Sequence, residues 1–264
     1  MSSLAHPREA VETKVVCGVT LRKDPAREPC FQVAQTGDEM FEMADFSEVS
    51  RRERLHRHMN NETGAIEIAA QCLVDFPEAP WDLRMQLARQ CYDESRHVSA
   101  LYRRLRELGG RKGEFPISNY EWCVTGIQDS LAGRLAIQNR SFEAGLMDLL
   151  GNLKKQWRAV GDDTTAEVLE NILVDEVGHV RFANQWLRKM AETDRRVLLK
   201  VAASVRFLAM SDQAHRPARL VEAGTEYKAN LGGVNVEDRK HAEFTPEEIE
   251  TYLQQEGLGS VVPR

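Results

Sequence analysis

The chain has 264 residues, 42% of them hydrophobic and 29% charged, with a formal net charge of −6. Such a composition suits a soluble globular protein of one large domain or two small ones. No apolar run approaches the 18 or so residues of a membrane span, and the negative balance gives no general reason to bind nucleic acid. The five cysteines, Cys17, Cys30, Cys72, Cys91 and Cys123, form no C-x-x-C pair. This argues against a disulfide framework or a thiolate zinc site and for a reducing, cytoplasmic setting. The opening stretch MSSLAHPREAVETK lacks the apolar core and cleavage site of a secretory signal.

Residues 1–46 carry Gly18, Pro25, Pro29 and Gly37 around short β-like runs such as KVVCGVTL, and read as an irregular arm with a hairpin. From Ser47 the pattern turns helical. A first helix shows Leu55, Met59, Ile66, Ala69 and Leu73 on one stripe and stops at DFPEAP. A second carries Leu83, Leu87, Val98, Leu101, Leu105 and Leu108, and Gly109-Gly110 closes it. A third is predicted over about 120–158, with Gly133, Gly145 and Gly151 as places where it bends or breaks. GDDTT caps a fourth, striped by Leu169, Ile172, Leu173, Ala183, Trp186, Leu187 and Met190. A further helix is predicted over about 194–210, then a polar stretch to about 243. In FTPEEIETYL, Thr245, Pro246 and Glu248 form a capping box. The expectation is an all-α fold: a four-helix bundle domain over 47–192, an arm over 1–46, and a C-terminal helical extension with a tail over 193–264.

Charged residues interrupt each of the four stripes. Glu62 falls between Met59 and Ile66; Glu94 and His97 fall between Leu87 and Leu101. Glu143 shares a heptad position with Ala136 and Leu150, and Glu176 and His179 fall between Ile172 and Ala183. An unpaired carboxylate in such a place costs several kcal/mol, and no lysine or arginine shares the inward positions. Four carboxylates carry four negative charges, and two divalent cations restore neutrality. Residues i and i+3 lie about 60° apart on a helix, so Glu94 with His97, and Glu176 with His179, can each reach one ion. The layout repeats: Glu62 precedes Glu94 by 32 residues and Glu143 precedes Glu176 by 33. Asp93 and Asp175, four residues before the histidines, are positioned to accept an imidazole N–H within a helix or across to the other histidine. Imidazole and carboxylate ligands without sulfur suit iron or a manganese–iron pair better than structural zinc, and six ligands for two ions leave positions free for other molecules.

At these residues the chain resembles the ferritin-like di-iron carboxylate superfamily. The stretches HMNNETGAIEIA, DESRHVSALYRRLRELGGRKGEFP, LAGRLAIQNRSFEAGLMD and LVDEVGHVRFANQWL resemble a bacterial ferritin-like family of largely unassigned function, placed beside the di-iron tRNA hydroxylases. The resemblance spans about residues 55–190. It implies Glu62, Glu94, His97, Glu143, Glu176 and His179 as ligands of two iron ions, with O2 as co-substrate; HMNNE departs from the family's closer His–Glu spacing at His58.

The expected activity is therefore an O2-dependent oxidoreductase of monooxygenase type that hydroxylates, N-oxidises or desaturates a small organic substrate, fed by an external electron donor such as a reductase or ferredoxin. The added arm and extension suit a substrate pocket, and a homodimer through a bundle face is expected. Two alternatives stand beside this reading. The arginines of SRRERLHRH and YRRLRELGGRK fall at one end of an antiparallel pair, where a tRNA backbone could bind, although Arg-rich helix ends are commonly just solvated. A ferroxidase or iron-storage role is disfavoured by the segments beyond a compact bundle. A radical-generating role needs a tyrosine at the centre, and Tyr92 points off the ligand face. Cys72, Cys91, Trp157 and Trp186 are read as packing, and His215 and His241 as tail residues that could add a ligand.

Overall fold

The computed structural model describes residues 10–43, 45–216 and 233–255. The described chain is mostly helical. In the arm, β1 (Thr13–Val16) and β2 (Val19–Arg22) pair antiparallel around Cys17 and Gly18. Both turn residues have positive φ, 50° and 77°, the combination that a tight two-residue hairpin requires. A third short strand, β3 (Val33–Ala34), pairs in parallel with β4 (Ile117–Ser118), strapping the arm to the segment that follows the second helix.

Helix α1 (Glu48–Asp75) begins at Ser47, whose side chain accepts the Ser50 N–H. Helix α2 (Trp81–Glu107) ends where Gly109 turns to φ 80° and the Gly110 N–H reaches the Leu105 carbonyl at 2.8 Å. That is the left-handed glycine cap its sequence predicts. The third helix is not continuous. It divides into α3 (Tyr120–Gly126), α4 (Leu131–Ile137), a π-helical turn (Gln138–Glu143) and α5 (Ala144–Ala159). The expected break points, Gly133, Gly145 and Gly151, lie inside α4 and α5 instead. The chain breaks at 127–130, where the Ser130 side chain accepts the Gly133 N–H and restarts the helix. A side chain at Gly133 would collide with the Ser204 hydroxyl, so this glycine serves close helix packing.

Helix α6 (Asp163–Thr193) starts on the cap from Asp162 to the Thr165 N–H. Helix α7 (Arg196–His215) lies against α4. The predicted polar stretch reaches residue 243, but a short helix, α8 (Val236–His241), forms within it, capped by Asn235 and tied down by Arg239 to buried Asp148 of α5 at 2.6 Å. Helix α9 (Pro246–Gln255) opens on the reciprocal bonds of its capping box, Thr245 N to Glu248 Oε2 at 2.9 Å and Glu248 N to Thr245 Oγ1 at 3.3 Å.

α1 packs along α2, α5 along α6, and α2 against α6. Two apolar clusters result. One gathers Ile68, Leu83, Leu87, Leu135, Phe182 and Trp186; the other gathers Leu55, Met59, Leu101, Leu150, Trp157 and Ile172. On α1 and α2 the charged residues singled out from the sequence lie between these two clusters along each helix; on α6, Glu176 and His179 interleave with Val177 and Val180 of the second cluster, just before Phe182 of the first. No helix among the described residues is long and apolar enough to cross a membrane.

Candidate metal centre

Helices α1, α2 and α6 and the π-helical turn bring all six residues together. Glu62, Glu94, His97, Glu143, Glu176 and His179 are each 4% exposed or less. Their ligand atoms form two overlapping groups, Glu62, Glu94, His97 and Glu176 in one and Glu94, Glu143, Glu176 and His179 in the other. Within each group the atoms lie within 4.8 Å of one another. Glu94 and Glu176 belong to both, so they stand between a Glu62–His97 side and a Glu143–His179 side. His97 Nδ1 lies 2.8 Å from Glu94 and 3.4 Å from Glu176, and His179 Nδ1 lies 3.3 Å from each. Both imidazoles thus turn Nδ1 inward.

The outward nitrogens meet the aspartates crosswise. His97 Nε2 on α2 is 3.1 Å from Asp175 on α6, and His179 Nε2 on α6 is 3.5 Å from Asp93 on α2. Arg96 joins the two aspartates, at 2.5 Å from Asp93 and 2.8 Å from Asp175. Against the effect of burial, His179, Arg89 and Arg96 hold Asp93 well below the usual carboxylate range, so it stays an acceptor.

Among the described residues, no lysine or arginine pairs with any of the four glutamates; their partners are histidines and amides. Their protonation reflects that. Burial, and then the charge of Glu94, raises Glu176 well above its ordinary value, and burial with the same neighbour pushes Glu143 up to about 8. Burial would lower His97, but Glu62 and Glu94 carry it up to about 11. Burial opposes the rise of His179 too, and Glu176 and Asp93 overcome it. Glu62 moves down, held by His58 and His97 against its burial. Without cations, protons balance this charge.

The cluster passes a test of fit for metal ions. Glu62 Oε1 and Glu176 Oε1 are buried and make no hydrogen bond. His58 Nε2 comes within 2.7 Å of Glu62 Oε1 yet lacks hydrogen-bond angles. Buried polar atoms without partners are costly, and here they converge with carboxylate and imidazole donors of the types that bind divalent metals. These groups can hold a metal ion.

Several neighbours were not singled out from the sequence. Gln90 donates to Glu94 at 3.2 Å and also to Glu143; Asn139 donates to Glu143 at 2.9 Å, and Gln138 at 3.5 Å. The widened π turn lets residues five apart, Gln138 and Glu143, both face inward. Glu121 on α3 is the other omission. A chamber of about 50 Å³ touches His58, Glu62, Glu121, Gln138 and Glu143. It shares Asn61, Glu121 and Phe142 with a cavity of about 410 Å³, walled by arm residues Gln35–Gly37 and Met40, by Tyr120, and by Asp212 and His215 of α7. Tyr120 donates to Asp212 at 2.5 Å. His215 bonds the Ser211 carbonyl, and neither it nor exposed His241 joins the metal-capable groups. Tyr92 is exposed, whereas Cys72, Trp157 and Trp186 pack in the core. Four basic residues of the arginine-rich helix ends are paired within the chain: Arg52 with Glu114, Arg57 with Glu53, Arg104 with Asp162, and Lys112 with Glu28.

Residues 3–250 match the family described as "Protein of unknown function (DUF455)", and the chain belongs to that family. It is similar to a Haemophilus influenzae protein named "Uncharacterized protein", with 28% identity over 105 residues, 39% of this chain and 36% of the relative. The aligned region thus spans just over a third of that relative's length. No solved structure matches.

Proposed function

We propose that this family member is a ferritin-like four-helix bundle whose six converging residues hold two iron ions, and that it is an O2-dependent oxidase or oxygenase of a small organic molecule. The observation that carries the reading is the pair of overlapping ligand groups: four buried glutamates and two histidines, with no lysine or arginine on the glutamates among the described residues and with orphaned oxygens among them. Glu62, His97 and the shared Glu94 and Glu176 would hold one ion; Glu143, His179 and the same shared pair would hold the other. A manganese–iron pair suits the same donors. The ions, when bound and reduced by an external donor, would supply the electrons for activating O2.

The chain's own residues do the rest. Asp175 fixes the His97 tautomer so that Nδ1 faces the centre, and Asp93 stands 3.5 Å from Nε2 of His179 as its nearest acceptor without completing a hydrogen bond. Gln90, Gln138 and Asn139 orient Glu143 by donating to its carboxylate. The apolar clusters above and below keep bulk water from the charges. Support for an organic substrate, over iron storage, comes from the cavity that the arm and α7 wall beside the small chamber. The arginines at the helix ends give a tRNA substrate little support, because four of the basic residues there are already paired within the chain.

Anaerobic loading with ferrous iron followed by rapid mixing with O2 tests the reading. Two irons oxidised per chain, with the oxidised state's decay accelerated by added organic substrates, is the expected result. Unassisted turnover of many irons per chain into mineral would move the assignment to a ferroxidase.

A further inference from the structure

We propose that the cavity beside the metal centre binds a small organic cation, a molecule whose protonated amine pairs with Glu121; that this ligand is the substrate rests on the oxygenase reading above. Glu121 lies at the junction of the two chambers and lines both. Among the described residues it makes no hydrogen bond or ion pair. The other acids of the cavity are engaged: Glu42 lies 3.4 Å from Arg57, and Asp212 accepts from Tyr120. Glu121 is thus the carboxyl left for a ligand.

The lack, among the described residues, of a basic partner on Glu121 selects the sign of that ligand. Of the acids that weigh on Glu121, Glu62, Glu94 and Glu176 belong to the metal centre, where bound ions would cancel their charge, and Asp212 remains. An ammonium group within hydrogen-bond reach would pair with the Glu121 carboxylate, whereas an anionic group would meet a like charge. Of the arginines lining the cavity, Arg57 is paired with Glu42 and Glu53, and Arg216 is exposed. Met40, Tyr120 and Phe142 offer apolar surface to a hydrocarbon body. Phe142 also lines the chamber that touches Glu62 and Glu143, so a body extending past Glu121 would carry its far carbons toward the metal ligands.

The test is calorimetric titration of the full chain with hexylamine, hexanol and hexanoate, with metal content measured on the same sample. Hexylamine should bind about tenfold or more tightly than hexanoate. Glu121→Gln should lower amine affinity about tenfold while leaving hexanol within about threefold. Absent amine binding, equal or tighter hexanoate binding, or an unchanged amine affinity in a folded Glu121→Gln protein would each overturn the proposal. If that variant does not fold, the wild-type ratio of amine to carboxylate affinity decides alone. Amine preference in a protein that holds no metal would sink the di-iron reading and leave the cation site standing; two metals per chain without amine preference would do the reverse.

Discussion

Replacing Asp175 by Asn should weaken metal binding on the far helix rather than on its own. Asp175 adjoins Glu176 in sequence, but its carboxylate lies 3.1 Å from Nε2 of His97 on α2. Losing that acceptor frees the His97 ring and its tautomer, and the loss of such an outer partner typically costs about 10- to 100-fold in metal affinity, roughly 1.4–2.7 kcal/mol. Asp93→Asn should do the same to His179, 3.5 Å away on α6. The two positions can be separated by titrating cobalt(II) optically in two backgrounds. Glu143→Gln leaves the Glu62–His97 position, and Glu62→Gln leaves the Glu143–His179 position. Asp175→Asn should then cost its 10- to 100-fold in the first background and less than about threefold in the second, with Asp93→Asn reversed. Effects following sequence adjacency instead, with Asp175 governing His179, would refute the crossed arrangement.

Because Glu94 and Glu176 are shared between the groups, Glu94→Gln or Glu176→Gln should reduce metal content at both positions, whereas Glu62→Gln or Glu143→Gln should leave about one ion per chain, as read by elemental analysis. Stability of the metal-free protein should fall as pH rises from about 6 to 9. Glu143 at about 8 and His97 at about 11 hold protons more tightly folded than unfolded. Their contribution is therefore full below their ordinary values and drains as pH climbs from those values to the folded ones, a loss on the order of 6 kcal/mol between pH 6 and 9, or about ten degrees or more in Tm. Bound metal replaces those protons, so the metal-induced gain in Tm should grow with pH; a gain that shrinks with pH would contradict the charge assignment. Arg239→Met strands Asp148, which is 2% exposed, and should destabilise the protein by about 3–5 kcal/mol in chemical denaturation.

The six candidate ligands were legible because charge on an apolar helical stripe is a strong physical anomaly, and because the Glu and E-x-x-H intervals repeat. The caps at Gly109, Asp162 and Thr245 were legible for a similar reason: few residues satisfy those backbone positions. The π turn was not. Its signature is one i to i+5 register in an otherwise helical run, and glycine positions pointed to the wrong break. Gln90, Gln138 and Asn139 carry no charge, so nothing marked them against ordinary surface amides. Glu121 sits in a seven-residue helix too short to show a stripe, and its place at the junction of two chambers depends on the arm and α7, whose packing no local pattern encodes. His58 stood out in HMNNE only as a departure in spacing; at i, i+4 on α1 its Nε2 comes within 2.7 Å of Glu62 Oε1.

The central claim is tested most directly by elemental analysis of the full chain after anaerobic loading with ferrous iron and removal of free metal. The account predicts about two irons per wild-type chain, and about none when Glu94 and Glu176 are both replaced by glutamine. A wild-type protein that retains no stoichiometric metal, or a double variant that retains as much as wild type, would contradict it.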